Sequence, residues 1–384
     1  MASEASTARP APGLGVVLAE WGRIGCIGFG GPPAHIALLR ELCVERRGWI
    51  EERDFEDAIA ACNLLPGPAS TQLSIYCGWR VRGALGAVVG GLSFILPGLV
   101  LIVALAAIFL ASAPPKWIVG AGAGAGAAVA AVALQAGWGL VPSSWQRAAV
   151  KARWALYLVA GVAAAATIGA WVVLVLLGCG VAEIVVRHLQ SPNAGALAPI
   201  AAIVGGGKLL SLAWVALKVG ALSYGGGFVI VPLMQSDAVD RHHWMTDAQF
   251  LDAVALGQIT PGPVVHTVTA VGYAAAGVGG ALLAAAVAFS PSFAFILLGA
   301  GRFDRLRADR RARAFLDGAG PAAVGAILGS AVPLAEALTE TWQYLVLAGA
   351  ALLLLALRRG VVSTLLAAGA TGVVIALAGG PVPG

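Results

Sequence analysis

Residues 25–68 read GCIGFGGPPAHIALLRELCVERRGWIEERDFEDAIAACNLLPGP, and residues 220–263 read GALSYGGGFVIVPLMQSDAVDRHHWMTDAQFLDAVALGQITPGP. Laid over each other without a gap, at an offset of 195, the two stretches share 14 identities in 44 positions. Phe29–Gly30–Gly31 falls on Tyr224–Gly225–Gly226, Trp49 on Trp244, Phe55 on Phe250, and the two Pro–Gly–Pro motifs coincide. Downstream the register slips by one, so that Pro97 meets Pro291. Glycine-rich composition does not align two motifs and two aromatics ungapped, so the chain is an internal duplication. The repeats are assigned to residues 1–187 and 209–384, with 188–208, which contains Pro192–Asn193 and Pro199, as the linker.

Composition decides the solvent. Hydrophobic residues make up 59% of the 384 and charged residues 11%, and the mean hydropathy is +0.87. A soluble domain has roughly 45–50% apolar and about 25% charged residues. Lipid must therefore cover this surface. Leu85–Ala111 and Ile118–Val141 carry no charge, and each exceeds the roughly 20 residues that cross a bilayer. The net charge of +5 is mostly loop arginine, which suits lipid headgroups; no basic face interleaved with stacking aromatics suggests nucleic acid. The first residues, MASEASTARPAPG, lack a basic n-region, so no cleaved signal is expected. The five cysteines have no CxxC spacing and read as packing residues. His242–His243 with Asp240 reads as solvated surface, so neither a metal nor a cofactor is expected. No GxxxxGK[ST], HExxH or GxSxG motif occurs, which leaves ATP-driven transport and hydrolysis without support.

Loop charge gives the orientation, because lysine and arginine gather on the cytoplasmic side. Residues 302–313 hold six arginines, whereas the matching loop Ala113–Trp117 holds only Lys116. The first loop is biased the other way, with Arg40, Arg46, Arg47 and Arg53 against Arg241 alone. Equivalent loops thus face opposite sides. The expected fold is an all-α integral membrane protein of two inverted-topology halves, with about ten transmembrane helices and broken or re-entrant segments. In this reading the first segment crosses once. The Pro–Gly–Pro segment enters from the Arg53 side, turns, and leaves near Arg80 and Arg82. The chain later returns to the cytoplasm at Arg147, Lys151 and Arg153.

Inverted repeats place a substrate site at mid-membrane, where broken helices point their ends at the ligand. The breaks here are Gly30–Gly31–Pro32–Pro33 with Gly225–Gly226–Gly227, and Pro66–Gly67–Pro68 with Pro261–Gly262–Pro263. Irregular backbone at that depth must be packed in protein or line a wet cavity. A helix restarting after each motif offers free N–H groups and a positive dipole end, an anion-binding arrangement. Ser70, Thr71 and Gln72, and His266, Thr267 and Thr269, could add donors. Arg23 aligns with Lys218, and a cation at mid-membrane usually marks a pathway. Glu20, one turn before Arg23, is its expected counter-ion. Asn63 aligns with Gln258, either as substrate ligands or as caps, while Asp57 and Asp252 are expected to cap their helices.

These motifs, GRIGCIGFGGPPAHIALLRE and then LLPGPASTQ, repeated as SYGGGFVIVPLMQ and ITPGPVVHT, resemble the chromate ion transporter family in its long two-domain form. The resemblance covers most of both halves. It implies efflux of chromate across the bacterial inner membrane, with sulfate as a structural analogue, driven by protons or the membrane potential. It also carries over Arg23, Phe29, Gly30, Gly31, Pro32, Asn63, Pro66, Gly67 and Pro68 as site positions. The second half departs from the pattern, with Gly227 in place of the proline of FGGP and Thr260 in place of the leucine of LPGP. The expected partners are the oxyanion, chromate or sulfate-like, the lipid bilayer and, as one option for assembly, a second copy forming a homodimer. Uptake of sulfate, or a membrane enzyme or flippase acting on anionic headgroups, would use the same residues.

Overall fold

The computed structural model describes residues 12–63, 65, 67–111, 113–189, 207–223, 228–302 and 309–383. Those residues are helical, with no strand among them. The first half contains α1 (Leu14–Ile27), α2 (Pro32–Arg40), α3 (Glu52–Cys62), α4 (Ala69–Phe109), α5 (Lys116–Ala127), α6 (Val129–Arg147), α7 (Lys151–Thr167) and α8 (Val172–Leu189). The second half runs α9 (Lys208–Leu222), α10 (Val231–Gln235), α11 (Asp247–Ile259), α12 (Thr267–Gly299), α13 (Arg310–Gly329), α14 (Ala331–Glu336), α15 (Thr341–Ala351) and α16 (Val361–Leu377). Five stretches, 69–109, 116–147, 172–189, 264–299 and 310–336, are long and apolar enough to cross a bilayer.

The duplication is visible in the backbone. α4 bends at Arg82 (φ −144°, ψ 24°) and Gly83 (φ 63°, ψ −154°). α12 bends at Ala276 (φ −152°, ψ 34°) and Gly277 (φ 61°, ψ −152°). Glycine alone takes such a positive φ without steric cost. Past the bend each helix doubles back on itself, so that Gly78 meets Gly86 and Gly272 meets Gly280, backbone against backbone. α2 and α10 each end in a π-helical turn (Glu41–Arg46, Ser236–Arg241). Each turn is closed by a tryptophan N–H, from Trp49 to the Cys43 carbonyl (2.7 Å) and from Trp244 to the Ala238 carbonyl (2.8 Å). The one-residue slip also has a physical cause. α4 starts directly after Pro68, but a 3-10 turn, Val264–His266, precedes α12. Three 3-10 residues rise about 6 Å, as far as four α-helical ones.

The Pro–Gly–Pro segment is re-entrant, because Arg80 at the end of the first arm of α4 is ion-paired with Asp54 at the start of α3. The first segment departs from expectation. Glu20 on α1 pairs with Arg46 (2.5 Å) and Arg47 (2.6 Å), and Trp21 stacks on Trp49 with centroids 6.2 Å apart. α2 therefore folds back along α1 in a V rather than continuing across. The reversal is made at Gly30 (φ 101°) and Gly31 (φ 73°), after which Pro32 starts α2. The second half repeats the V, with Lys218 on α9 ion-paired to Asp237 beyond α10.

The inversion is carried by the long segments. α6 and α13 belong to equivalent parts of the two halves, yet they run antiparallel. Gly137 packs on Ile327 and Leu328, while Arg147 and Arg313, at opposite sequence ends, line one cavity. Residues 190–206 of the expected linker lie outside the described residues. The halves interlock through small-residue contacts that let backbones touch. Gly325 and Gly329 of α13 lie on Leu158 and Val162 of α7, and Gly120 of α5 lies on Gly372 of α16.

Candidate functional site

Each Pro–Gly–Pro turn is inserted into the other half. The Gly262 N–H donates to the Gly28 carbonyl (2.9 Å) at the end of α1, and Pro261 and His266 lie against Gly98 of α4. Reciprocally, a Cβ on Gly67 would meet the Gly220 carbonyl of α9 at 3.3 Å and Ser292 Oγ of α12 at 3.4 Å. Gly67 (φ 116°) and Gly262 (φ 94°) hold backbone conformations that suit glycine. His35, buried on α2, donates from Nε2 to the Gly28 carbonyl (2.8 Å) and takes the Ser70 hydroxyl at Nδ1 (3.2 Å), in the tautomer those partners require. Its ring stands edge-on to Phe94, centroids 5.0 Å apart, as the His266 ring does to Phe289 at 5.2 Å.

Around the two turns, buried polar atoms lack partners. Thr71 Oγ1, Ser74 Oγ, Gln258 Nε2, both ring nitrogens of His266, Thr269 Oγ1 and Ser292 Oγ have no hydrogen bond among the described residues. Thr71 and His266 are each 0% exposed. They are the same position of the repeat, 195 apart, and each sits at the start of the helix that leaves its turn. A buried donor left unsatisfied costs about 1–3 kcal/mol, so native cores hold few. Several of them, placed where two helices begin, make a surface suited to a small anion.

A cavity of about 650 Å³ reaches this region. It runs from exposed Arg147 and Arg313 to buried Gly67, past Asn63 and Leu65. The equivalent space in the other half, between α11, α5 and α16, is a cavity of about 190 Å³. Its lining is apolar except for Asp252, which faces Gly122 and Gly126 of α5. One construction thus occurs twice, with a large cavity on one side and a small one on the other.

The remaining sequence candidates are placed as follows. Asn63 ends α3 and lines the larger cavity, Gln258 lies in the last turn of α11, and Pro68 and Pro263 directly precede the helix starts. Pro66, Gly225 and Gly226 lie outside the described residues. Phe29 and Gly30 are exposed and Gly31 is half-buried in the loop of the V, and Pro32 follows them. Arg23 is exposed on α1. Glu20 is not its counter-ion, because Arg46 and Arg47 take that carboxylate. Lys218 is engaged by Asp237. Asp57 and Asp252 do not cap helices. Thr246 caps α11, its Oγ1 accepting from the Gln249 N–H (3.3 Å) while Gln249 Oε1 accepts from the Thr246 N–H (3.0 Å). Asp57 lies mid-way along α3, which starts after Glu51. His242 stacks on Trp244, centroids 4.6 Å apart. Sequence reasoning missed His35, a lone histidine opposite Ile230 in the repeat, and the convergence of Arg147 with Arg313.

Comparison with known proteins follows the same two halves. The chromate transporter family matches residues 16–184 and 210–373. A chromate transport protein of Cupriavidus metallidurans is 33% identical over 331 residues, covering 82% of this chain and 80% of that protein. A chromate transport protein of Pseudomonas aeruginosa is 31% identical over 347 residues, covering 84% and 82%. An uncharacterized transporter of Methanocaldococcus jannaschii is 27% identical over 308 residues, covering 74% and 75%. No solved structure matches the chain.

Proposed function

The chain belongs to the chromate transporter family, and we propose that it exports chromate from the bacterial cytoplasm across the inner membrane by alternating access, binding the dianion between the two crossed turns. It is a multi-pass membrane protein of a transporter family, not an enzyme. The observation that carries the reading is the pair Thr71 and His266. These fully buried side chains with unpartnered polar atoms stand at equivalent helix starts. A tetrahedral oxyanion offers acceptors to both. Gly67, Gly262 and the helix starts behind Pro68 and Pro263 supply the irregular backbone around it, and Ser70 holds His35 in place.

The two cavities support alternating access. Inverted halves can exchange conformations, so that the 650 Å³ space shrinks while its 190 Å³ counterpart enlarges toward the other side. The larger cavity has its mouth among residues that loop charge assigns to the cytoplasm. Each charge crossing the membrane is worth about 2.3 kcal/mol per 100 mV, so a dianion leaving an inside-negative cell gains about twice that. That gain sustains a gradient on the order of a thousandfold without ATP. Sulfate, of the same shape and charge, should compete.

Expression in a chromate-sensitive host should raise the chromate concentration it survives and lower the chromate it retains. Unchanged survival together with faster sulfate uptake would replace this reading with sulfate import.

A further inference from the structure

Asp252 plays no part in holding the anion, yet it stands alone in apolar surroundings. α11 starts at Asp247, and Asp252 lies just over one turn further on. It is half-buried and lines the cavity of about 190 Å³ between α11, α5 and α16. Its carboxyl makes no hydrogen bond or ion pair among the described residues. It fits only because α5 is bare there. A Cβ on Gly122 would stand 2.5 Å from Asp252 Oδ1 and 2.6 Å from Oδ2, and one on Gly126 would stand 3.6 Å from Oδ1.

No second titratable group lines the cavity, to which Phe109 of α4 and the facing residues of α5 and α16 contribute only apolar surface. The elements packed against α11 do carry such groups elsewhere. Tyr76, Cys77, Arg80 and Arg82 of α4, Lys116 of α5 and Arg147 of α6 lie outside the lining. So do His266, Tyr273, and Asp237, Asp240 and Arg241 beyond α10. Asp247, on α11 itself, accepts from Gln235 Nε2 (3.0 Å). α11 follows the loop whose one arginine is Arg241, and α5 follows the loop whose one cation is Lys116. Loop charge assigns both to the outer side. From Asp252 the cavity runs inward to Ile259, the residue before Thr260 and the second turn.

A carboxylate without a partner is costly in apolar surroundings, and such a group takes up a proton instead. The neutral acid packs against Gly122 in a small cavity. The carboxylate needs water around it, and so a larger one. Resting on the alternating-access reading above, we propose that Asp252 is a proton-binding site that latches the outer cavity. With its proton on, it holds the cavity small; release of that proton to the outer medium admits water and enlarges it. The carboxyl O–H is the one bond that forms and breaks. An acid exterior thus holds α11, and with it the second turn, in the closed position.

The test labels a thiol placed in the cavity. Ala255, 1% exposed, lines it one turn from Asp252. Ala255→Cys, in a chain whose native cysteines are replaced, is treated with an impermeant thiol reagent in right-side-out vesicles from about pH 5 to about pH 9. Asp252→Asn keeps the shape of the neutral acid but has no proton to release. Carrying the same thiol, it removes the thiol's own titration from the comparison. The two chains should label alike near pH 5, and the aspartate chain roughly tenfold faster or more near pH 9. Gly122→Ala, whose Cβ takes the carboxyl's place, should speed labelling already near pH 5. Equal labelling of the aspartate and asparagine chains at every pH, or no labelling of the aspartate chain at any, would overturn the latch. Should Asp252→Asn fail to insert, labelling of Gly122→Ala no faster than its parent near pH 5 would overturn it too. Chromate efflux from the same vesicles, preloaded, keeps the two ideas apart. Vesicles that release no chromate count against the transport reading, whereas active vesicles with matched labelling count against the latch alone.

Discussion

Thr71→Val and His266→Leu are each expected to abolish most chromate transport while leaving the protein as stable as before, or more so. This is opposite to the usual cost of core substitutions. Thr71 and His266 are fully buried and their polar side-chain atoms have no partner within the described fold. Removing an unsatisfied buried polar atom relieves about 1–3 kcal/mol rather than costing it, provided the replacement fills the space. Valine has the shape of threonine. Leucine has about the volume of histidine and keeps an apolar body between Phe289 and the second turn. A hydrogen bond to a charged ligand is worth about 1.5–3 kcal/mol, so each loss should weaken oxyanion binding roughly ten- to a hundredfold. Thermal unfolding in detergent and chromate flux, measured on the same preparations, separate the two effects. A lowered unfolding temperature with normal flux would make these residues structural.

The second large effect is expected at the turns. Gly67→Val should abolish transport while the protein still reaches the membrane, and Gly262→Val should reduce it less. Both glycines hold positive φ, at 116° and 94°, where a branched side chain costs about 1–3 kcal/mol. The surroundings differ. A Cβ on Gly67 would stand 2.7 Å from Gln72 Nε2 and press on Gly220 and Ser292 of the other half. A Cβ on Gly262 would have His266 Cε1 at 3.3 Å and nothing nearer. The first substitution therefore forces the crossed halves apart, whereas the second strains mainly its own turn. Equal losses at both positions would mean that local turn conformation, not the fit between halves, is what transport needs.

Much of this was legible in residues 25–68 and 220–263, because a duplication with matched glycine and proline breaks fixes where helices stop. It does not fix the angle at which the chain resumes. Gly30–Gly31–Pro32 announces a break equally well in a straight span and in a V, and only the Glu20 ion pairs with Arg46 and Arg47 distinguish them. Asp252 was misread for another reason. An aspartate near a helix start is a weak capping signal, while Thr246 with Gln249 three residues later is a strong one and was present in the sequence. The larger cavity was out of reach, because lining residues such as Arg147 and Arg313 are 166 residues apart in the chain and are brought to one cavity only by the packing of α6 and α13. His35 gave no signal either, since its partners, Gly28 and Ser70, are brought to it by the fold.

If the crossed turns carry chromate, the purified protein alone should pass it across a membrane. Reconstituted liposomes with an imposed potassium diffusion potential would be loaded with chromate on the negative side. Chromate should move toward the positive side at a rate that grows with the potential, is competed by sulfate, and is lost in the Thr71→Val/His266→Leu double variant. Flux no greater than in protein-free liposomes, or equal flux in that double variant, would contradict it.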